Sequence, residues 1–99
     1  MKFKLLVLDV DGTLLNSKRE LTKRTISTLI KVQQLGIRIA LASGRPTHGI
    51  LPFAQALGMD RHGGFIIAHN GAVVTDAASG EVIFERSIDP QMIPFMERL

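Results

Sequence analysis

The sequence predicts an α/β fold: a Rossmann-like, doubly wound parallel sheet, present as a partial core, with a β-hairpin after the third strand. Three observations predict it. Apolar runs at 3–9, 37–42 and 65–68 alternate with a helical pattern at 22–35 and another over roughly 46–57. Two β-α-β units in succession imply right-handed crossovers. Glycines stand where the helices must stop, at Gly36 and Gly58, and three polar clusters fall at three successive strand ends.

Residues 3–9, with Phe3, Leu5, Leu6, Val7 and Leu8, are apolar with few interruptions, as expected of a strand buried on both faces. A polar turn, Asp11-Gly12-Thr13, and a loop through Asn16, Ser17 and Lys18 follow. Thr22 is suited to cap the next helix, and Leu21 and Ile26 supply the hydrophobic staple around it. Ile26, Leu29, Ile30, Val32 and Leu35 recur at threes and fours, and Gly36 provides a left-handed stop. Ile37 to Ala42 reads as a second buried strand. The helix over 46–57 contains Pro52, so it either begins near Gly49, with Pro52 in its first turn, or kinks there. Phe65 to Ala68 is a third strand, closed by Asn70-Gly71. Ala72 to Thr75 and Glu81 to Glu85 flank Ser79-Gly80, the pattern of a hairpin. Asp89-Pro90 opens a short helix by the cap-plus-proline rule, limited by Pro94, with Met92, Phe95 and Met96 as its apolar face.

Ninety-nine residues make one small domain at most, or a piece of a larger one, and 45% apolar residues exclude wholesale disorder. The absence of cysteine excludes a disulfide scaffold, a thiol nucleophile and a cysteine-zinc site. The net charge of +3 gathers at Lys18, Arg19, Lys23, Arg24 and Lys31. With five Phe and no Tyr or Trp there is little to stack bases on, so a solvated basic helix face accounts for the charge and no nucleic-acid partner is expected. Leu5 to Leu8 is stopped by Asp9, too short for a membrane span or a signal peptide. The expected compartment is the cytoplasm, with no membrane partner. His48, His62 and His69 have no metal-ligand spacing to one another.

The chemistry lies at the strand ends, where ligands bind in open sheets. Asp9 and Asp11, two residues apart where a strand breaks into a turn, can converge on one point, and together they need a cation or a proton. Mg²⁺, a hard ion that takes oxygen ligands and shares them with substrate phosphate, would make the pair a phosphoryl-transfer site. Ser43 and the amides of Gly44 and Arg45, where a loop enters a helix, can cradle phosphate oxygens. Each cluster also has a plainer reading. Asp9 to Gly12 makes an Asx-type turn, Ser43 to Pro46 the start of a helix, and Asn70-Gly71 a hairpin turn. Arg45 can also pair with a surface carboxylate.

Asp9-Val10-Asp11-Gly12-Thr13-Leu14 resembles the first motif of the haloacid dehalogenase (HAD) superfamily, and Leu41-Ala42-Ser43-Gly44-Arg45-Pro46 resembles its second. Asn70-Gly71-Ala72 is similar to the segment after the third strand in the Cof-type sugar-phosphatase branch. The resemblance covers essentially the whole chain in order and spacing. It implies that Asp9 attacks phosphorus to form an aspartyl-phosphate, with its other oxygen on Mg²⁺. It implies that Asp11 protonates the leaving oxygen and later deprotonates water, its backbone carbonyl ligating the metal. Dehalogenase members lack a carboxylate at the second position, so Asp11 favours phosphatase or phosphomutase chemistry. Ser43 would hydrogen-bond the transferring phosphoryl group, Thr13 would support the turn and the nucleophile, and Arg45 and Asn70 would line the substrate side.

The same pattern includes a lysine after the third strand or its cap insertion, and an acidic pair at a fourth core strand. The last lysine here is Lys31, and no adjacent acidic pair follows Thr75. Residues 1–99 are therefore expected to be the amino-terminal part of a HAD-like core, without the cap domain and the carboxyl-terminal half, and with little or no turnover alone. In the family's sheet order residues 3–9 would then leave an apolar edge unpaired, an edge that a second copy or another chain should cover. The expected function is that of a Mg²⁺-dependent phosphatase of small phosphorylated metabolites, sugar phosphates among them. The alternative is a non-catalytic phosphate- or metal-binding module, or a subunit that needs a partner to complete its site.

Overall fold

The computed structural model describes residues 4–86. Phe3 and the helix expected from Asp89-Pro90, with Met92, Pro94, Phe95 and Met96, lie outside them. Five strands form one sheet in the order β1-β2-β3-β4-β5: β1 (Lys4–Asp9), β2 (Ile37–Ala42), β3 (Phe65–Ala68), β4 (Val73–Asp76) and β5 (Val82–Glu85). The first three are parallel, and β4 and β5 run antiparallel as the expected hairpin. Helices α1 (Lys23–Gln34) and α2 (Thr47–Ala56) make the two crossovers.

The core is built on β2. Ile39, Ala40 and Leu41 are all fully buried, as a central parallel strand requires, and Ile66, Ile50, Leu57, Met59 and Val10 close around Ile39 and Leu41. The first strand departs from its expectation of burial on both faces. Leu5, Leu6 and Val7 remain 44%, 37% and 55% exposed. The reason is position: β1 is an edge strand, paired with β2 alone among the described residues. This matches the unpaired apolar edge expected of residues 3–9.

Thr22 caps α1 as expected, its Oγ1 accepting from the Thr25 amide at 3.2 Å. The buried stripe of α1 runs through Leu29 and Gln33, four residues apart, while Leu35 is 79% exposed. Two residues beyond Gln33, Leu35 is carried about 200° round the helix, which turns it away from the core. Gln33 is buried because its Nε2 donates to the Leu57 carbonyl at 2.7 Å and to the Leu29 carbonyl at 3.2 Å, tying α1 to the end of α2. The helix does not begin near Gly49: it starts at Thr47, with Pro52 inside it beyond the first turn. An additional short helix, α3 (Met59–His62), follows Gly58 and seats Met59 in the core.

Candidate active site

Asp9 ends β1 in register with Ala42, the residue before Ser43, so the first and second strands deliver their polar clusters side by side. Beyond Asp9 the chain makes a single π-type turn, Val10–Leu14, closed by the Leu15 amide donating to the Val10 carbonyl at 3.0 Å. Buried Val10, Leu14 and Leu15 anchor this turn, leaving Asp11, Gly12 and Thr13 facing outward. The Gly12 amide donates to Asp9 Oδ2 at 2.6 Å. A Cβ at position 12 would run into that same oxygen, so the Asp9 carboxylate keeps this position only beside a glycine. The Asx-type turn and the chemical reading of Asp9 thus coincide: one oxygen is fixed by the turn, and Oδ1 makes no hydrogen bond among the described residues.

Asp11 is held from the second strand end. Arg45 Nη2 lies 2.6 Å from Asp11 Oδ1, and Arg45 Nε donates to Oδ2 at 3.3 Å. Arg45, expected to line the substrate side, therefore takes its plainer role of partner to a carboxylate, and that carboxylate is Asp11. The Arg45 hydrogen bond holds the Asp11 carboxyl below its ordinary range against partial desolvation, helped by the charges of Arg45 and Arg19 and by the Ser43 hydroxyl.

Ser43 is buried, and its Oγ accepts from the Arg45 amide at 3.0 Å, shaping the loop that opens α2. The third strand end is stitched to this loop. His69 N donates to the Arg45 carbonyl and Asn70 N to the Ser43 carbonyl, each at 3.0 Å. Asn70 adopts φ 55° and ψ 37°, and with His69 and Gly71 it joins antiparallel β3 and β4, so it is a hairpin turn and a neighbour of the site at once. Thr13 stands exposed on the π-type turn and makes no side-chain hydrogen bond among the described residues. The structure thus brings together Asp9, Asp11, Ser43, Gly44, Arg45 and Asn70 on three adjoining loops.

Two residues of this neighbourhood carry no chemical signature in sequence. Phe53 lies with its ring centroid 5.4 Å from the Arg45 guanidinium carbon. Gly49 lies beside the Arg45 side chain, a Cβ there falling in ordinary contact at 3.4 Å from that of Arg45. The signal was the spacing: positions 49 and 53 are four apart on α2 and share one face, just after Arg45.

Mg²⁺ prefers oxygen ligands and keeps several waters, and the donors here suit it in part. Asp9 Oδ1 makes no hydrogen bond among the described residues and Oδ2 accepts one from Gly12, whereas both carboxylate oxygens of Asp11 face Arg45. An ion shared by the Asp9 and Asp11 side chains would have to displace Arg45 from Asp11. Among the described residues no group of three or more acidic, histidine or cysteine side chains is placed to hold a metal.

Parallel strands delivering two aspartates and a serine to one mouth define a class of α/β protein whose ligand site lies at the carboxyl ends of its strands. The family model for haloacid dehalogenase-like hydrolases matches residues 6–96. The chain is 46% identical to a haloacid dehalogenase-like hydrolase from Bacteroides thetaiotaomicron, whose crystal structure it matches with a TM-score of 0.85 over 98% of this chain and 36% of that one. It is 35% identical to the phosphoglycolate phosphatase of Methanosarcina mazei, over 90% of this chain and 37% of that protein. It is 33% identical to the phosphatase YwpJ of Bacillus subtilis, over 87% of this chain and 29% of that protein. The chain belongs to the haloacid dehalogenase-like hydrolase family. It spans about a third of the length of these relatives.

Proposed function

We propose that residues 1–99 are the amino-terminal part of the core of a Mg²⁺-dependent phosphatase acting on small phosphorylated metabolites, sugar phosphates among them. The observation that carries this reading is the meeting of three strand ends at Asp9, Asp11 and Ser43. Asp9 Oδ1 attacks phosphorus, forming the aspartyl-phosphate as the bond to the leaving oxygen breaks. Asp11 gives a proton to that oxygen, then takes one from the water that releases phosphate from Asp9. Ser43 and the loop amides hold phosphoryl oxygens, Thr13 supports the turn beneath the nucleophile, and Gly44 lets the loop come close. Asn70 contacts the substrate side. Bound Mg²⁺ supplies charge neutralisation of the phosphoryl group. The reading places the work in the cytoplasm, supported by a chain without cysteine and without a described helix long and apolar enough to cross a membrane.

The chain alone is expected to turn over little, so the test is phosphate release from a panel of sugar phosphates by this chain with a complementing carboxyl-terminal segment added in trans, with and without Mg²⁺. Asp9→Asn should abolish release, and chelation of Mg²⁺ should do the same. Hydrolysis that survives Asp9→Asn overturns the proposal.

A second reading, a subunit that needs a partner to complete its site, is supported by exposed Leu5, Leu6 and Val7 on β1. A second copy or another chain then covers that edge. Sedimentation of a clean monomer at high concentration counts against a second copy. Activity regained on adding a complementing segment in trans supports a partner chain over a non-catalytic phosphate- or metal-binding module.

A further inference from the structure

The geometry points to Arg45 as the positioning residue of Asp11, seated by Phe53 on α2, with Asp11 Oδ2 left as the oxygen that exchanges the proton. This rests on the phosphatase reading of Asp9 and Asp11.

The fork between Arg45 and Asp11 is uneven. Nη2 meets Oδ1 at 2.6 Å, a short charge-assisted bond, whereas Nε meets Oδ2 only at 3.3 Å. A proton donor whose two oxygens were both tightly held could not present either one to a leaving group. Here one oxygen anchors the carboxyl and the other keeps a weak tie that an incoming group can replace. In the first step the Nε tie gives way, and Oδ2 takes the proton of the bound phosphate monoester monoanion and passes it to the leaving oxygen as that oxygen's bond to phosphorus breaks. In the second Oδ2 takes a proton from the attacking water and releases it to solvent as the Nε tie re-forms.

The anchor is itself fixed from three sides. The Arg45 amide bonds Ser43 Oγ, its carbonyl accepts from His69, and its guanidinium faces the ring of Phe53. Gly49 lies alongside the aliphatic stem. The Arg45 and Asp11 side chains are 35% and 50% exposed, open enough for substrate to reach the pair. A flexible surface arginine would lose conformational freedom in holding such a pair; one fixed at backbone, stem and head has less to lose.

Leaving-group dependence separates this from a phosphate-binding role. A good leaving group such as 2,4-dinitrophenolate needs no proton, whereas an alkoxide does. Arg45→Met should slow hydrolysis of an alkyl phosphate by about 100-fold or more, while 2,4-dinitrophenyl phosphate loses less than about tenfold and KM moves little. Arg45→Lys, which keeps charge but not the fork, should stay near Arg45→Met on the alkyl substrate. Phe53→Leu should give the same pattern in weaker form. Equal losses on both substrates with a raised KM would overturn the assignment in favour of direct phosphate binding.

A second readout needs no turnover. The Arg45 Nε–H NMR signal in the 99-residue protein should be slowed in exchange with solvent and should lose that protection in Asp11→Ala and in Phe53→Leu. A signal indifferent to Asp11→Ala overturns the seat itself. Absence of Asp9-dependent hydrolysis even with a complementing segment supplied in trans, with an intact NMR response, instead overturns the phosphatase reading and leaves the Arg45–Asp11 pairing standing.

Discussion

Asn70 Oδ1 lies 3.2 Å from the point that a Cβ on Gly44 would occupy, so the turn after the third strand rests directly on the loop after the second. Two backbone hydrogen bonds, from His69 to Arg45 and from Asn70 to Ser43, hold the loops at that spacing. The substrate side of the site is therefore one unit rather than two loops that happen to meet.

Gly44→Ala tests that unit. The added methyl must displace the Asn70 amide while the backbone bonds keep the turn in place, at a cost of about 1 kcal/mol. The side-chain NH₂ signals of Asn70 should move, with a matching small fall in the urea midpoint. Unmoved Asn70 signals would show that the two loops are not in contact.

Gly12→Ala should be more severe. Its methyl would displace the Asp9 carboxylate, breaking the bond from the residue 12 amide and turning the oxygens away from the strand axis. A loss of about 1–3 kcal/mol follows from overpacking and the broken hydrogen bond, together with loss of Asp9-dependent phosphate release. Urea denaturation and a phosphate assay on the same preparation check both parts.

Thr22→Ala removes the hydroxyl that accepts the Thr25 amide at the start of α1. The expected cost is about 1 kcal/mol. Thr22→Ser, which keeps the acceptor, should recover most of it in thermal melts, and equal losses in the two variants would remove the cap from the explanation.

Asp76 gives the pH prediction. Its Oδ1 accepts from Ser79 at 3.0 Å and Ala78 at 2.9 Å within the β4–β5 turn. The Ser79 bond foremost, opposed by partial desolvation and reinforced by Ala78, holds the carboxyl below its ordinary value. A carboxyl lowered on folding stabilises the fold above its unfolded pKa, and that contribution is lost as pH falls through the folded one. Carboxyl ¹³C titration should place Asp76 below an unstructured aspartate, and Asp76→Ala should abolish this part of the acid dependence. A titration at the ordinary aspartate value contradicts the prediction.

Much of this protein was legible along the chain because its signals are local. Thr22 and Gly36 bound α1, Ser79-Gly80 marks the hairpin, and the alternation of apolar runs with helical spacing gives the succession of strands and helices along the chain. The polar clusters at the strand ends identify the mouth of the site, since a parallel sheet gathers those ends on one side. What the sequence could not decide depends on residues far apart in it. Uniform apolarity in residues 3–9 looks the same at an edge as at a centre, and only the pairing of β1 shows which it is. The partner of Arg45 is 34 positions away, and Gln33 is buried because a carbonyl 24 positions on receives it. Side-chain partners at that range are chosen by the packing of helices on the sheet, so only the folded chain settles them.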